Sequence, residues 1–361
     1  MSNQQSGGSR SAWRGTLVHT LRAADSVWLS GSVDSTNSVI ARTAAAQDAG
    51  RPLDERVRTL FSEENVPAEP TAEPIPDSDT AALADLTRRA DVDYEANNAD
   101  AAAAWLASSG LTPNLDELPV QVPVSVAIAD TQTSGRGRLG RVWYNKVGES
   151  FVASYAVAVP KALAVGSDSG WLTMIAGLAA IDALGSELTN GSAHELDPEA
   201  RFTLKWPNDV FLIGRKLGGI LTELTEVDDQ WALVTFGIGL NLFVDPDELP
   251  TEESTSLQLH YAPLPPYGEL RDRLAAGVAT ALRVRLSAFA SYPDRIVGRL
   301  HDEVVDLSWT LGRRVKARLA EGGEVIGVAQ SINDDASLTV RIDDGTERIV
   351  TTGDVGVLPD D

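Results

Sequence analysis

Residues 201–224, RFTLKWPNDVFLIGRKLGGILTEL, and residues 231–244, WALVTFGIGLNLFV, decide the fold. Both are rich in β-branched and aromatic residues. The breaks within and between them are short, with turn residues supplied by Pro207-Asn208-Asp209, Gly214 and the Asp228-Asp229 pair. Strands joined by such turns run antiparallel, because a parallel connection needs a crossover of a dozen or more residues. A doubly wound parallel sheet is therefore disfavoured.

Upstream, residues 26–33, 122–130 and 151–159 read as further strands, and 34–50, DSTNSVIARTAAAQDAG, reads as a helix. Asp34 or Ser35 is placed to cap that helix, and Gly50 followed by Pro52 to stop it. Helical periodicity recurs over 169–188, 267–290 and 294–305. From residue 311 the chain alternates apolar and polar residues between Gly-Gly, Asn-Asp-Asp and Asp-Asp-Gly turns, the pattern of a small β-barrel. The expected division is 1–308 for a large domain and 309–361 for a small β domain.

Residues 54–100 differ in texture, with 13 acids against 4 arginines and with Pro67, Pro70, Pro74 and Pro76 close together. Such composition predicts a solvated, partly disordered insertion over about 50–120, closed by a helix at 99–110 whose apolar face can dock back. The whole chain has a formal net charge of −22, which disfavours non-specific binding to nucleic acid or to an anionic membrane. It has no cysteine, so thiolate chemistry and cysteine zinc sites are excluded. The N-terminal MSNQQSGGSRSAW lacks the apolar run of a signal peptide, and the expected location is the cytoplasm.

Against that acidity, residues 133–143, TSGRGRLGRVW, gather Arg136, Arg138 and Arg141 among glycines. Guanidinium forks with exposed backbone N–H groups suit phosphate, although a surface turn or an RNA-binding segment has the same composition. The glycine spacing fits neither a Walker loop nor a Rossmann fingerprint. Lys205, at the end of an apolar strand, is either an exposed cap or an ammonium aimed into a site. Glycines within 216–224 and 237–242 mark a bulge or a close approach. Ser35-Thr36-Asn37 carries more hydrogen-bonding groups than a cap requires. The four histidines lack metal-ligand spacing.

In this order, the DSTN block at 34, ADTQTSGRGRLGRVW at 129, KWPND at 205, KLGGILTEL at 216 and GIGLN at 237 resemble the biotin protein ligases. The match spans most of the chain outside 50–120. The resemblance implies an α+β fold: a mixed, largely antiparallel sheet with helices on one side, of the class II synthetase-like biotin/lipoate ligase type, followed by a small SH3-like β-barrel. It implies that biotin and ATP with Mg2+ form biotinyl-5′-AMP, and that biotin then passes to a lysine of the carboxyl carrier domain of an acyl-CoA carboxylase. Attack of a carboxylate on the α-phosphorus joins two anions, so positive charge and exclusion of water are needed.

By the same resemblance, Ser35, Thr36, Asn37 and Gln132 would hold the ureido ring, and Arg136, Gly137 and Arg138 would fold over biotin and the phosphates. Lys205 and Arg138 would act where charge develops, and Gly218 and Gly219 would leave room for biotin. Arg141, Trp143, Asn208 and Asn241 would serve the nucleotide, with Asp209 as a metal candidate. Repressor members of the family carry an N-terminal winged helix, and only about 30 residues precede the Ser35 block, so no DNA binding is expected. A homodimer is compatible with the chain. A lipoate-protein ligase is the nearest rival reading, and an RNA-binding module a distant one.

Overall fold

The computed structural model describes residues 17–62, 80–190, 193–319, 322–351 and 353–358. The N-terminal leader and the four clustered prolines of the insertion lie outside the described residues.

Seven strands form the main sheet: β1 (Ser26–Val33), β2 (Val124–Gln132), β3 (Ser150–Pro160), β4 (Phe202–Lys205), β5 (Asp209–Leu212), β6 (Arg215–Val227) and β7 (Trp231–Asn241). Their order is β1-β2-β3-β7-β6-β5-β4, and only the β1–β2 pair is parallel. The β5–β6 turn carries Ile213 and Gly214 at φ +49° and +67°, the left-handed pair that a two-residue hairpin loop demands. Ile213 occupies a position where glycine or asparagine would be unstrained.

Strand alternation sorts the sheet into two faces. Val126, Ile128, Tyr155, Val234, Phe236 and Ile238 turn toward one face, where α5 (Gly170–Asn190), α6 (Tyr267–Ser291) and α7 (Pro293–Asp306) complete the larger core. The segments Ser167–Thr189 and Tyr267–Ser291 match a membrane span in length and apolarity, yet 67% and 72% of their most apolar windows are buried inside the protein. Their hydrophobicity is accounted for by this core.

The opposite face is smaller. Ala127, Ala129, Ala156 and Ala158 present short side chains there, which lets α2 (Thr36–Ala46) and α3 (Leu53–Arg58) lie close to the sheet with Trp28 and Phe61. Leu53, Val57, Leu60 and Phe61 are buried, so the start of the acidic region belongs to the core rather than to a solvated excursion. Its far end is α4 (Thr80–Ser108), much longer than the helix expected over 99–110. Trp105 donates to Glu303, Leu106 is buried, and Tyr94 docks on α6 through the Arg273 carbonyl. A short helix α1 (Val18–Ala23) is fixed to α6 by the Asp272 carboxylate, which accepts from the His19 and Thr20 N–H groups at 3.0 and 2.9 Å.

The C-terminal strands β8 (Arg314–Leu319), β9 (Glu324–Ile332), β10 (Leu338–Arg341), β11 (Glu347–Val350) and β12 (Gly353–Val357) form an antiparallel five-stranded sheet in the order β11-β10-β9-β8-β12. The segment that leads from α7 into this sheet is held to the main sheet at Leu204, whose N–H donates to the Leu307 carbonyl and whose carbonyl accepts from Trp309.

Candidate active site

Along β7, Thr235, Gly237 and Gly239 alternate with the core residues and face the α2 side. At that end of the strand, two glycines take the place of side chains. A Cβ on Gly237 would lie 2.3 Å from Asn37 Oδ1, and one on Gly239 would lie 2.5 Å from the Trp143 ring. These absences open a cavity of about 130 Å³ between β7, the start of α2 and the arginine loop.

One end of the cavity is uncharged and polar. Ser35 stands at the N-cap position of α2 with extended backbone, but neither it nor Asp34 makes the expected side-chain cap: Asp34 pairs with Arg42 instead. The bidentate bond from Arg42 holds the Asp34 carboxyl below the usual carboxylate range. The first helical N–H, from Thr36, is satisfied by Gln132 Oε1 at 2.8 Å. Asn37 donates through Nδ2 to Glu223 at 2.7 Å and accepts through Oδ1 from Ser154 at 2.5 Å. Ser154 Oγ also lies 2.6 Å from Thr36 Oγ1. Gln132 is held in turn by Asn145, whose Oδ1 accepts from its backbone N–H.

The other end is cationic. The loop after β2 folds as its own small hairpin, with Gly137 N–H donating to the Arg141 carbonyl and Trp143 N–H to Gly135, around a turn with Leu139 and Gly140 at φ +56° and +73°. Arg136 makes a bidentate pair with Glu223 at 3.0 and 2.9 Å. Arg138 donates to Asn208 Oδ1 and to the Gly353 carbonyl of the C-terminal sheet, both at 2.9 Å. Lys216 Nζ lies 2.7 Å from Asp209 Oδ1. Trp143 covers Gly239, and its Nε1 is buried with no acceptor among the described residues, a donor in the cavity wall.

Of the residues expected here, Ser35, Thr36, Asn37, Gln132, Arg136, Gly137, Arg138, Arg141, Trp143, Asn208, Asp209 and Gly219 line the cavity. Three fall outside its lining. Lys205 packs its ammonium 5.5 Å from the Phe211 ring centre and borders a separate small void beside α5, with Thr173 and Met174. Gly218 is required by the neighbouring strand, because a Cβ there would lie 2.1 Å from the Gly239 carbonyl. Asn241 is turned away and donates to the Thr255 carbonyl at 3.0 Å. Lys216, Ser154, Glu223 and the β7 glycines were not singled out from sequence as site residues. Lys216 is the lysine at the cavity, brought there through a bulge at Val210/Phe211 that shifts the β5–β6 register. Asp209 is engaged by Lys216, and no cluster of three or more His, Cys, Asp or Glu that could hold a metal exists among the described residues.

Residues 114–241 match the biotin/lipoate A/B protein ligase family, and residues 310–357 match the biotin protein ligase C-terminal domain. The chain is 31% identical over 230 residues to the biotin--[acetyl-CoA-carboxylase] ligase of Mycobacterium tuberculosis, covering 64% of this chain and 77% of the relative. It is 29% identical over 231 residues to the bifunctional ligase/repressor BirA of Bacillus subtilis, covering 62% and 64%. Among solved structures, the biotin protein ligase from Aquifex aeolicus in complex with biotin and ATP shares the fold at a TM-score of 0.50 and 18% identity, over 93% of this chain and 99% of that one.

Proposed function

The chain belongs to the biotin protein ligase family, and from that premise we propose that it joins biotin to a carrier protein in two steps through biotinyl-5′-AMP. The observation that carries this reading is the polarity of the cavity between β7, α2 and the arginine hairpin. Neutral donors and acceptors at Thr36, Asn37 and Gln132 suit a ureido ring at one end, and Lys216 with the arginine hairpin suits a carboxylate and phosphates at the other.

In the first step a biotin carboxylate oxygen attacks the α-phosphorus of ATP, the bond to the β-phosphate oxygen breaks, and pyrophosphate leaves. Lys216 and Arg138 are held before substrate arrives, by Asp209 in one case and by Asn208 and Gly353 in the other. Cations fixed in advance stabilise charge developing on the phosphorus without reorganising during the reaction. Magnesium would accompany ATP as its substrate complex, and among the described residues no group of three or more His, Cys, Asp or Glu is placed to hold a metal. In the second step the neutral amine of a carrier lysine attacks the acyl carbon of the mixed anhydride and AMP departs. A carrier domain of an acyl-CoA carboxylase is the partner this reading assigns, by likeness to the M. tuberculosis relative.

The test is ATP-dependent transfer of labelled biotin to a purified carrier domain, with lipoate and a lipoyl domain offered in parallel. Adenylation of lipoate alone would overturn the reading in favour of the lipoate branch of the same family.

A further inference from the structure

Glu223 is assigned no role by the chemistry above, yet it is the side chain at which both halves of the site meet. It lies on β6, opposite Thr235 of β7. Oε1 accepts from Arg136 at 3.0 Å, while Oε2 accepts from Arg136 at 2.9 Å and from Asn37 at 2.7 Å. A carboxylate only accepts, so this contact settles which way the Asn37 amide faces: Nδ2 toward Glu223, and Oδ1 toward Ser154 and the Gly237 floor. The same carboxylate anchors the first arginine of the hairpin.

We infer that Glu223 is a positioning residue that couples closure of the arginine hairpin to the orientation of the Asn37 amide. The ligand terms of this inference rest on the proposed biotin ligation; the coupling itself is present in the protein alone. With Arg136 docked, both oxygens of Glu223 are committed and Asn37 has one orientation. With the pair broken, the hairpin loses its Arg136 anchor and Glu223 is free to turn away, which leaves the Asn37 amide to the longer bond to the Leu221 carbonyl at 3.4 Å and to Ser154 at 2.5 Å. Glu223 and Arg136 are 33% and 46% exposed, so salt weakens their contact.

Glu223→Gln keeps the size and an acceptor for Asn37 but presents an amide NH2 to the guanidinium. Without any ligand, trypsin should cut the hairpin at Arg138 or Arg141 about threefold faster in the variant at low salt, and wild type should approach the variant's rate at high salt. In steady state the biotin KM should rise about tenfold, with kcat at saturating biotin and the ATP KM within twofold of wild type. Asn37→Ala and the Asn37→Ala/Glu223→Gln double variant should bind biotin with nearly equal affinity by calorimetry, the non-additivity expected of groups acting as a unit. Unchanged trypsin cleavage, a parallel fall in kcat and ATP binding, or additive losses would each overturn the coupling. If wild type binds no biotin, the functional reading falls and the cleavage comparison decides the coupling alone.

Discussion

Lys205 and Lys216 show how little a residue's type says without its register. Lys205 ends β4 before one turn and Lys216 begins β6 after the next, but Lys205 rests on Phe211 while Lys216 reaches the cavity beside Asp209. Lys216→Ala should slow pyrophosphate release by about 10²–10³-fold, the cost of removing one preorganised charge stabiliser. Lys205→Ala should change it less than about threefold. A larger effect at Lys205, measured in the same assay, would place the reacting centre in the wrong part of the sheet. Gly237 gives a second residue-scale expectation. In Gly237→Ala the methyl meets Asn37 Oδ1 2.3 Å away, so the amide must leave its place on Ser154. Overpacking of this kind costs about 1–3 kcal/mol. Biotin affinity should fall about tenfold or more, read by calorimetry, while ATP binding is kept.

The elements were legible where periodicity alone governs them. The 201–244 hairpins, the helices α5, α6 and α7 and the C-terminal strands follow from alternation, 3.6-residue spacing and turn residues. Residues 53–61 were not legible, because a short buried helix in acidic sequence owes its place to tertiary contact. Leu53 and Leu60 are fully buried under Trp28 and Phe61. Leu60→Ala should therefore cost about 2–5 kcal/mol in urea unfolding, whereas a solvated excursion would lose almost nothing. Lys216 was missed for a related reason: the bulge at Val210/Phe211 breaks the period of two on which a reading of its face depends. Asp228 joins the β6–β7 turn to α3. Burial raises its carboxyl pKa, but N–H donors from Trp231, Gln230 and Leu53 outweigh that and leave it below the ordinary value of 3.8. A depressed folded pKa means stabilisation present above 3.8 and lost as pH falls through the folded value. Asp228→Asn should cost about 1 kcal/mol at pH 7, and thermal melts should show the two proteins converging below pH 3.8.

At the scale of the molecule, the C-terminal sheet is tied to the catalytic part by buried tryptophans. Trp206 Nε1 donates to the Ala336 carbonyl at 2.8 Å and Trp171 Nε1 to the Asp334 carbonyl at 2.6 Å, so both indoles end on the β9–β10 turn. One hydrophobic core runs through both parts, from Trp171 and Leu204 to Ala336 and Leu338. The Arg138 contact with the Gly353 carbonyl places a second tie directly at the cavity. A shared core and shared buried hydrogen bonds make the two parts lose stability together, and unfolding should be a single transition. Trp206→Phe keeps an aromatic ring but leaves the Ala336 carbonyl without its buried donor, at a cost of about 1–3 kcal/mol. The whole transition should move to lower urea, followed in parallel by circular dichroism and by fluorescence of the remaining tryptophans. Two separated transitions, with only the weaker one displaced, would mean that the C-terminal sheet folds as an independent unit and that Arg138 is anchored to a part able to detach from the site.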